Sequence, residues 1–263
     1  IDAVRDVLIQ DKDIAAVILE PTGGSFGMVP LDGAFLSALR DLTHQHNVLL
    51  IFDEVVTGFR VPPGGAQAHF DIRPDLTALA KILAGGLPGA AVAGSRDILD
   101  ALDFDAAPAS GREKIKHQGT DNASPVSAAA GTAALSIIES TYACKRANTY
   151  GELLRGRLNE LFCEEQVPWA AYGTFSGFHI FTNPVQRAID PETFEANAID
   201  WQEIKQNPPG VSDKLRLAML INGVDITGWP GGTISAAHSE TDLDQTVEAF
   251  RESLRMLRAE EAI

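Results

Sequence analysis

Ile14-Ala-Ala-Val-Ile-Leu19 and Val48-Leu-Leu-Ile-Phe52 are short, almost wholly apolar runs, and their relation decides the fold. Runs of this kind suit strands covered on both faces. Between them, a helix from about Ala34 to His46 brings Phe35, Leu39, Leu42 and His46 near one face, and Asn47 suits its C-terminal end. Strand, helix and strand in this order predict a parallel pair joined by a right-handed crossover. Leu76-Thr-Ala-Leu-Ala80 and Ala90-Ala-Val-Ala93 are weaker strand candidates. The first part therefore reads as α/β with a mainly parallel sheet.

The character changes further on. Pro125 suits a first helical position and opens an Ala-rich helix to about Thr141. A second helix spans about Arg146 to Gln166, and strand-like pieces follow near Ala170 and Phe178. The segment from Asn183 to Pro209 is polar and proline-bearing, as expected of a loop or insertion. A helix near Ser212 to Asn222 comes next, and the pair Ser239 and Asp242 predicts a capping box at the start of the last helix. An α/β part, residues 1–145, thus precedes an α+β part, residues 146–263.

Of the 263 residues, 45% are hydrophobic and 22% charged, enough for a sizeable core. A net charge of -15 repels phosphate backbones and argues against nucleic-acid binding. No apolar run approaches the length of a bilayer span, which argues against a membrane partner. The opening Ile1-Asp-Ala-Val-Arg-Asp-Val-Leu-Ile-Gln10 lacks the regions of a signal peptide and reads as a helix already under way. A missing N-terminal part is therefore expected. Cys144 and Cys163 lie far apart, as expected of reduced thiols in the cytoplasm.

In parallel sheets ligands bind beyond the carboxyl ends of the strands. Three candidate strands end there in an ionisable residue: Glu20, Asp53 and Lys81. A buried charge must find a partner or shift its pKa. Either the three converge on one ligand, or they are ordinary strand ends in water. Glycines follow two of them, at Gly23-Gly24 and Gly85-Gly86, where they permit close backbone approach or positive φ. Walker A and Rossmann fingerprints are absent, as are HExxH, a Cys/His ligand cluster and a G-x-S-x-G elbow. His44 and His46, two apart on a helix, are poorly placed to share a metal, and no metal is expected.

Four segments together resemble the class III aminotransferases, pyridoxal 5'-phosphate (PLP) enzymes of fold type I. Ile51-Phe-Asp-Glu-Val-Val-Thr-Gly-Phe-Arg60 is similar to the motif around the cofactor-binding aspartate. Arg73-Pro-Asp-Leu-Thr-Ala-Leu-Ala-Lys81, continuing to Pro88, is similar to the segment of the Schiff-base lysine. Leu19-Glu-Pro-Thr-Gly-Gly24 and His117-Gln-Gly-Thr-Asp-Asn-Ala-Ser-Pro125 resemble the family's Glu-Pro and Gly-Thr motifs, in the right order and spacing. The likeness is nearest to glutamate-1-semialdehyde 2,1-aminomutases and related β-amino-acid transaminases, supported by Gly223-Val-Asp-Ile226 and Ser235-Ala-Ala-His-Ser239.

The resemblance implies the C-terminal part of a PLP-binding large domain over 1–145, then a connecting helix and small α+β domain over 146–263. It assigns Asp53 to the pyridine nitrogen, Val55 to the ring face and Lys81 to the covalent link and proton transfer. Gly119 and Thr120 would reach the cofactor phosphate of a neighbouring subunit, which implies a homodimer with shared sites. Glu20 would orient cofactor or substrate, or hold its loop. The implied reaction moves an amino group between an amino acid or amine and an oxo acid. Intramolecular transfer, as in the aminomutases, is the alternative, and a non-catalytic relative or an unrelated α/β binding protein are further ones. Two positions depart from the pattern. Val56 stands where many transaminases have a glutamine and cannot hydrogen-bond, which leans towards the aminomutase branch. Pro230 stands where aminomutases carry a glutamate, which leans away from it.

Overall fold

A computed structural model of the chain describes every residue except Arg112, Asp121, Asn207 and Pro209. Asp121 of the Gly-Thr motif and Pro209 at the end of the polar segment therefore lie outside the described residues. The chain divides into two compact units: Ile1–Thr22 with Leu31–Thr141, and Gly23–Pro30 with Tyr142–Ile263.

The first unit runs α1 (Asp2–Gln10), β1 (Ala16–Leu19), α2 (Gly33–Gln45), β2 (Leu49–Asp53), α3 (Gly65–Phe70), β3 (Leu76–Leu79), β4 (Ala91–Gly94) and α4 (Pro125–Ser140). Its sheet has the order β1-β2-β3-β4. The first three strands are parallel and β4 is antiparallel to β3, with Leu79 opposite Ala91. Asp32 caps α2 by accepting from the Phe35 amide at 2.6 Å, and Asn47, at φ 55°, ends it in the left-handed conformation. Arg40 of α2 pairs with Asp75 at 2.8 Å, and the same carboxylate accepts from the Leu50 amide at 2.7 Å, so one acid ties the start of β3 to both α2 and β2.

The stripe α2 buries is Leu36, Leu39, Leu42 and Thr43. Phe35 and His46, expected on that stripe, are only half-buried. Leu36 and Leu39 pack on Leu50 and Phe52, while Leu42 joins Leu8 and Val48. The expectation of strands covered on both faces is corrected. Along β2, Leu50 and Phe52 are buried while Leu49, Ile51 and Asp53, on the other face, are half-covered. Ile18 of β1 is 62% exposed and β4 is exposed throughout.

The second unit runs α5 (Ala143–Glu164), β5 (Ala170–Tyr172), β6 (Gly177–Phe181), α6 (Val211–Ile221), β7 (Gly231–Thr233) and α7 (Glu240–Ala259). Its strands form an antiparallel sheet, β5-β6-β7. Leu154, Leu158 and Phe162 of α5 pack with Leu215 and Met219 of α6 and with Leu243, Phe250 and Leu254 of α7. The capping box of Ser239 and Asp242 is present. The polar stretch after Asn183 is not a bare loop. It carries helical turns at Pro191–Thr193, Ala196–Ala198 and Trp201–Ile204. Phe194 stacks on Phe181 with ring centroids 5.0 Å apart, Ala196 and Ile204 are buried beside them, and Arg187 pairs with the buried Glu203. Gly23–Pro30 is held in this unit by the Tyr172 hydroxyl, which donates to the Met28 carbonyl at 2.8 Å, and by His179 Nε2, 3.2 Å from the Phe26 carbonyl. Among the described residues no helix is long and apolar enough to cross a membrane.

Candidate active site

The end of β2 controls the site. Asp53 is its last residue, in register with Ala78 of β3. Paired residues on neighbouring strands share a face, so the Asp53 side chain leaves the sheet on the Ala78 side. That is the half-covered face, opposite Leu50 and Phe52. Asp53 accepts from the Val55 amide at 3.1 Å, and among the described residues its carboxylate makes no other hydrogen bond or ion pair.

Lys81 lies three residues beyond Ala78, at the carboxyl end of the neighbouring strand. It opens a helical turn, Lys81–Ala84, with φ 49°. A left-handed lysine is uncommon, and such backbone strain clusters where a side chain is held for function. The Lys81 side chain is exposed, and its amine has no hydrogen-bond or ion-pair partner among the described residues. Glu20 follows Leu19, which pairs with Phe52, so it stands at the same sheet edge as Asp53, half-buried.

On this face a cavity of about 910 Å³ opens between the sheet and α4. Val55, Ala78 and Leu79 line its sheet side, Leu83 and Gly131 its apolar wall, and His117, Asn122, Ser124 and Ser127 its polar end. Of the residues singled out from sequence, only Val55 lines it; Asp53, Lys81, Glu20, Gly119 and Thr120 do not. Gly119 and Thr120 sit on an exposed turn closed by the Asn122 amide, which donates to the Gly119 carbonyl at 3.1 Å. Among the described residues no hydrogen bond joins Gly119 or Thr120 to Asp53 or Lys81.

Gly85, read as a point of ligand approach, has φ 60°, and a Cβ there would strike the Ala130 backbone of α4. A Cβ at Gly131 would in turn strike the Leu83 carbonyl. These glycines let the turn that begins at Lys81 sit on α4, so they serve packing at the site's edge.

The residue that sequence reasoning passed over is Glu54. It is fully buried beside Asp53, and its carboxylate accepts from Thr57 Oγ1 at 2.9 Å, the Ala66 amide at 2.5 Å, and the Gln67 amide and Nε2, both at 3.1 Å. A second acid directly after a strand-ending acid was the available signal.

The family Aminotransferase class-III matches residues 1–197. The chain belongs to the class-III aminotransferases. It is 38% identical over 246 residues to a glutamate-1-semialdehyde 2,1-aminomutase of Methanosarcina acetivorans, covering 92% of this chain and 53% of that protein. Among solved structures, an omega-transaminase from Sphaerobacter thermophilus is 32% identical with a TM-score of 0.77, over 96% of this chain and 56% of that one. A beta-phenylalanine aminotransferase from Variovorax paradoxus is 26% identical with a TM-score of 0.79, over 98% and 56%. The chain spans about half the length of the curated relatives it matches. For a class-III aminotransferase, the α/β unit with its mainly parallel sheet is the fold these structures share.

Proposed function

We propose that the protein is a PLP-dependent enzyme that transfers an amino group between an amino acid or amine and an oxo acid. The observation that carries this reading is the pair of uncommitted groups at one sheet edge: a half-buried carboxylate on β2 and a free amine just past β3. This donor set fits a ring with one basic nitrogen and one aldehyde carbon. A structure described as a transaminase with PLP bound, 28% identical with a TM-score of 0.80, supports the same cofactor.

When bound, PLP supplies an electron sink for the carbon from which a proton is removed. Asp53 would hold a proton on the pyridine nitrogen, because an adjacent carboxylate favours the charged form. Val55 would pack against a ring face. Lys81 would attach the cofactor and, once displaced by the amino substrate, its amine would take the proton from the carbon that bears the amino group and return it. Glu20 would orient cofactor or substrate at the same edge. Gly119 and Thr120, on an exposed turn, would serve the phosphate of a neighbouring subunit, which makes the working form a homodimer. Residues 1–145 would then be part of the cofactor-binding large domain and residues 146–263 the connecting helix and small domain. Neither Cys144 nor Cys163 is in a disulfide, which suits the cytoplasm.

Intramolecular transfer is the second reading, favoured by the aminomutase relatives and by the apolar Val56. The deciding assay gives the full protein glutamate 1-semialdehyde with no oxo acid. Absence of turnover there, with activity on amino donor plus oxo acid, is expected; turnover without an oxo acid would make the protein an aminomutase. Borohydride reduction of the loaded protein should place the label on Lys81, and an unlabelled protein without a visible absorbance band would leave a non-catalytic relative.

A further inference from the structure

Two adjacent acids leave the end of β2 towards opposite sides. Asp53 emerges on the cavity face, with Ala78; Glu54 is turned to the other side, where it is wholly buried. A buried carboxylate needs partners for its lone pairs. Glu54 finds them in Thr57, Ala66 and Gln67, with no ion pair among the described residues. Gln67 Nε2 also reaches Thr77 Oγ1 at 3.3 Å, on the buried face of β3, one residue before the partner of Asp53. On the main chain, the Glu54 amide donates to the Ala78 carbonyl at 2.9 Å, and the Gly58 amide donates to the Glu54 carbonyl at 2.9 Å. Gly65, at φ 74°, has no room for a Cβ because the Glu54 carboxylate occupies that space.

From these contacts we propose that Glu54 is a positioning residue: its buried carboxylate, through Gln67 and Thr77, locks the end of β2 to β3 and thereby sets the relation of Asp53 to Lys81. This rests on the reading of Asp53 and Lys81 as the cofactor's two anchors. The network is built from both strands that carry them and from none of the residues that would touch the cofactor. An amide at position 54 cannot replace the carboxylate. Its NH2 group faces either the Ala66 or the Gln67 amide, donor against donor, whichever way it turns.

The test uses the full protein with PLP and three variants, Glu54→Gln, Thr77→Val and Asp53→Asn. The readouts are the midpoint at which the bound cofactor's visible band titrates with pH, kcat and KM separately, and amide exchange over residues 53–58 and 78–84 in cofactor-free protein. Glu54→Gln is expected to shift the midpoint in the same direction as Asp53→Asn. It should lower kcat on the order of 10- to 100-fold, the loss typical of small misplacement, with KM changed less than about threefold. Exchange over both segments should quicken on the order of 10-fold. Thr77→Val, which trims the far end of the network, should move each readout the same way by less. A Glu54→Gln protein that melts earlier but keeps the wild-type midpoint, kcat and exchange would overturn the proposal. If Glu54→Gln does not fold, Thr77→Val decides, and wild-type behaviour there overturns it equally. A wild type that takes up no PLP, or an Asp53→Asn band identical to wild type, would instead bring down the cofactor reading, and the positioning role with it.

Discussion

At the scale of single residues, the site separates groups that are committed from groups that are not. Glu54 accepts four hydrogen bonds, whereas Asp53 accepts one, from the Val55 amide, and the Lys81 amine has no partner among the described residues. Lys81→Ala should therefore abolish the visible cofactor band and turnover, while a thermal melt of the cofactor-free protein stays within about 0.5 kcal/mol of wild type, because an exposed, unpaired amine supports no fold contact. A large loss of stability would mean Lys81 has a structural partner. His179 makes a pH prediction in the second unit. Burial pushes its pKa below the ordinary value, against the opposing effect of its contact with the Phe26 carbonyl, and the Arg155 charge pushes the same way as burial. The unfolded chain then takes up the proton first. The contribution is intact above the ordinary histidine value of about 6.5 and is lost as pH falls through and below it. Melting temperature should drop from pH ~7.5 to ~5.5 in wild type and drop less in His179→Gln. Parallel slopes would remove His179 as the cause.

At the scale of elements, the helical turn that starts at Lys81 depends on α4 having glycine at 131. Gly131→Val puts a branched side chain against the Leu83 carbonyl, which must move. Overpacking of this kind costs about 1–3 kcal/mol, and the moving element is the one that presents Lys81. Cofactor affinity should fall more than it does for Gly156→Ala, where a Cβ meets open space; equal affinities would mean the turn is set from elsewhere. The elements themselves were readable to differing degrees. β1 and β2 announced themselves as apolar runs and β3 more weakly, and each stops at an ionisable residue, which singled out Glu20, Asp53 and Lys81. The direction of β4 was readable in principle. Only residues 80–90 separate it from β3, short for the crossover that a parallel neighbour needs. Glu54 was marked only as a second acid after Asp53; its role stayed out of sight because its decisive partners are main-chain amides 12 and 13 residues away. The stretch after Asn183 was hidden differently. Phe194 and Ala196 are two apart and Ile204 eight further on, too few positions to establish a period, so their burial against Phe181 shows only in three dimensions.

At the scale of the whole chain, two opposed features govern how copies behave in solution. The net charge of -15, from 36 acidic against 21 basic residues, keeps copies apart. Against it stand apolar side chains that the first unit leaves exposed: Ile18 at 62%, Val92 at 53%, Val126 at 68% and Ile137 at 58%. Ile18 and Val92 lie on β1 and β4, the edge strands of the sheet, where unpaired backbone groups add a second route to association. Repulsion is long-ranged and screened by salt, while apolar attraction is neither. Raising salt from low to about 0.5 M shortens the screening length to a few ångströms, so light scattering of this 263-residue chain should rise with salt. Val92→Lys and Ile18→Lys each place a charge on an edge strand and should suppress that rise while leaving far-UV circular dichroism unchanged. Scattering that falls with salt would mean that ion pairs between copies, not the open sheet, hold them together.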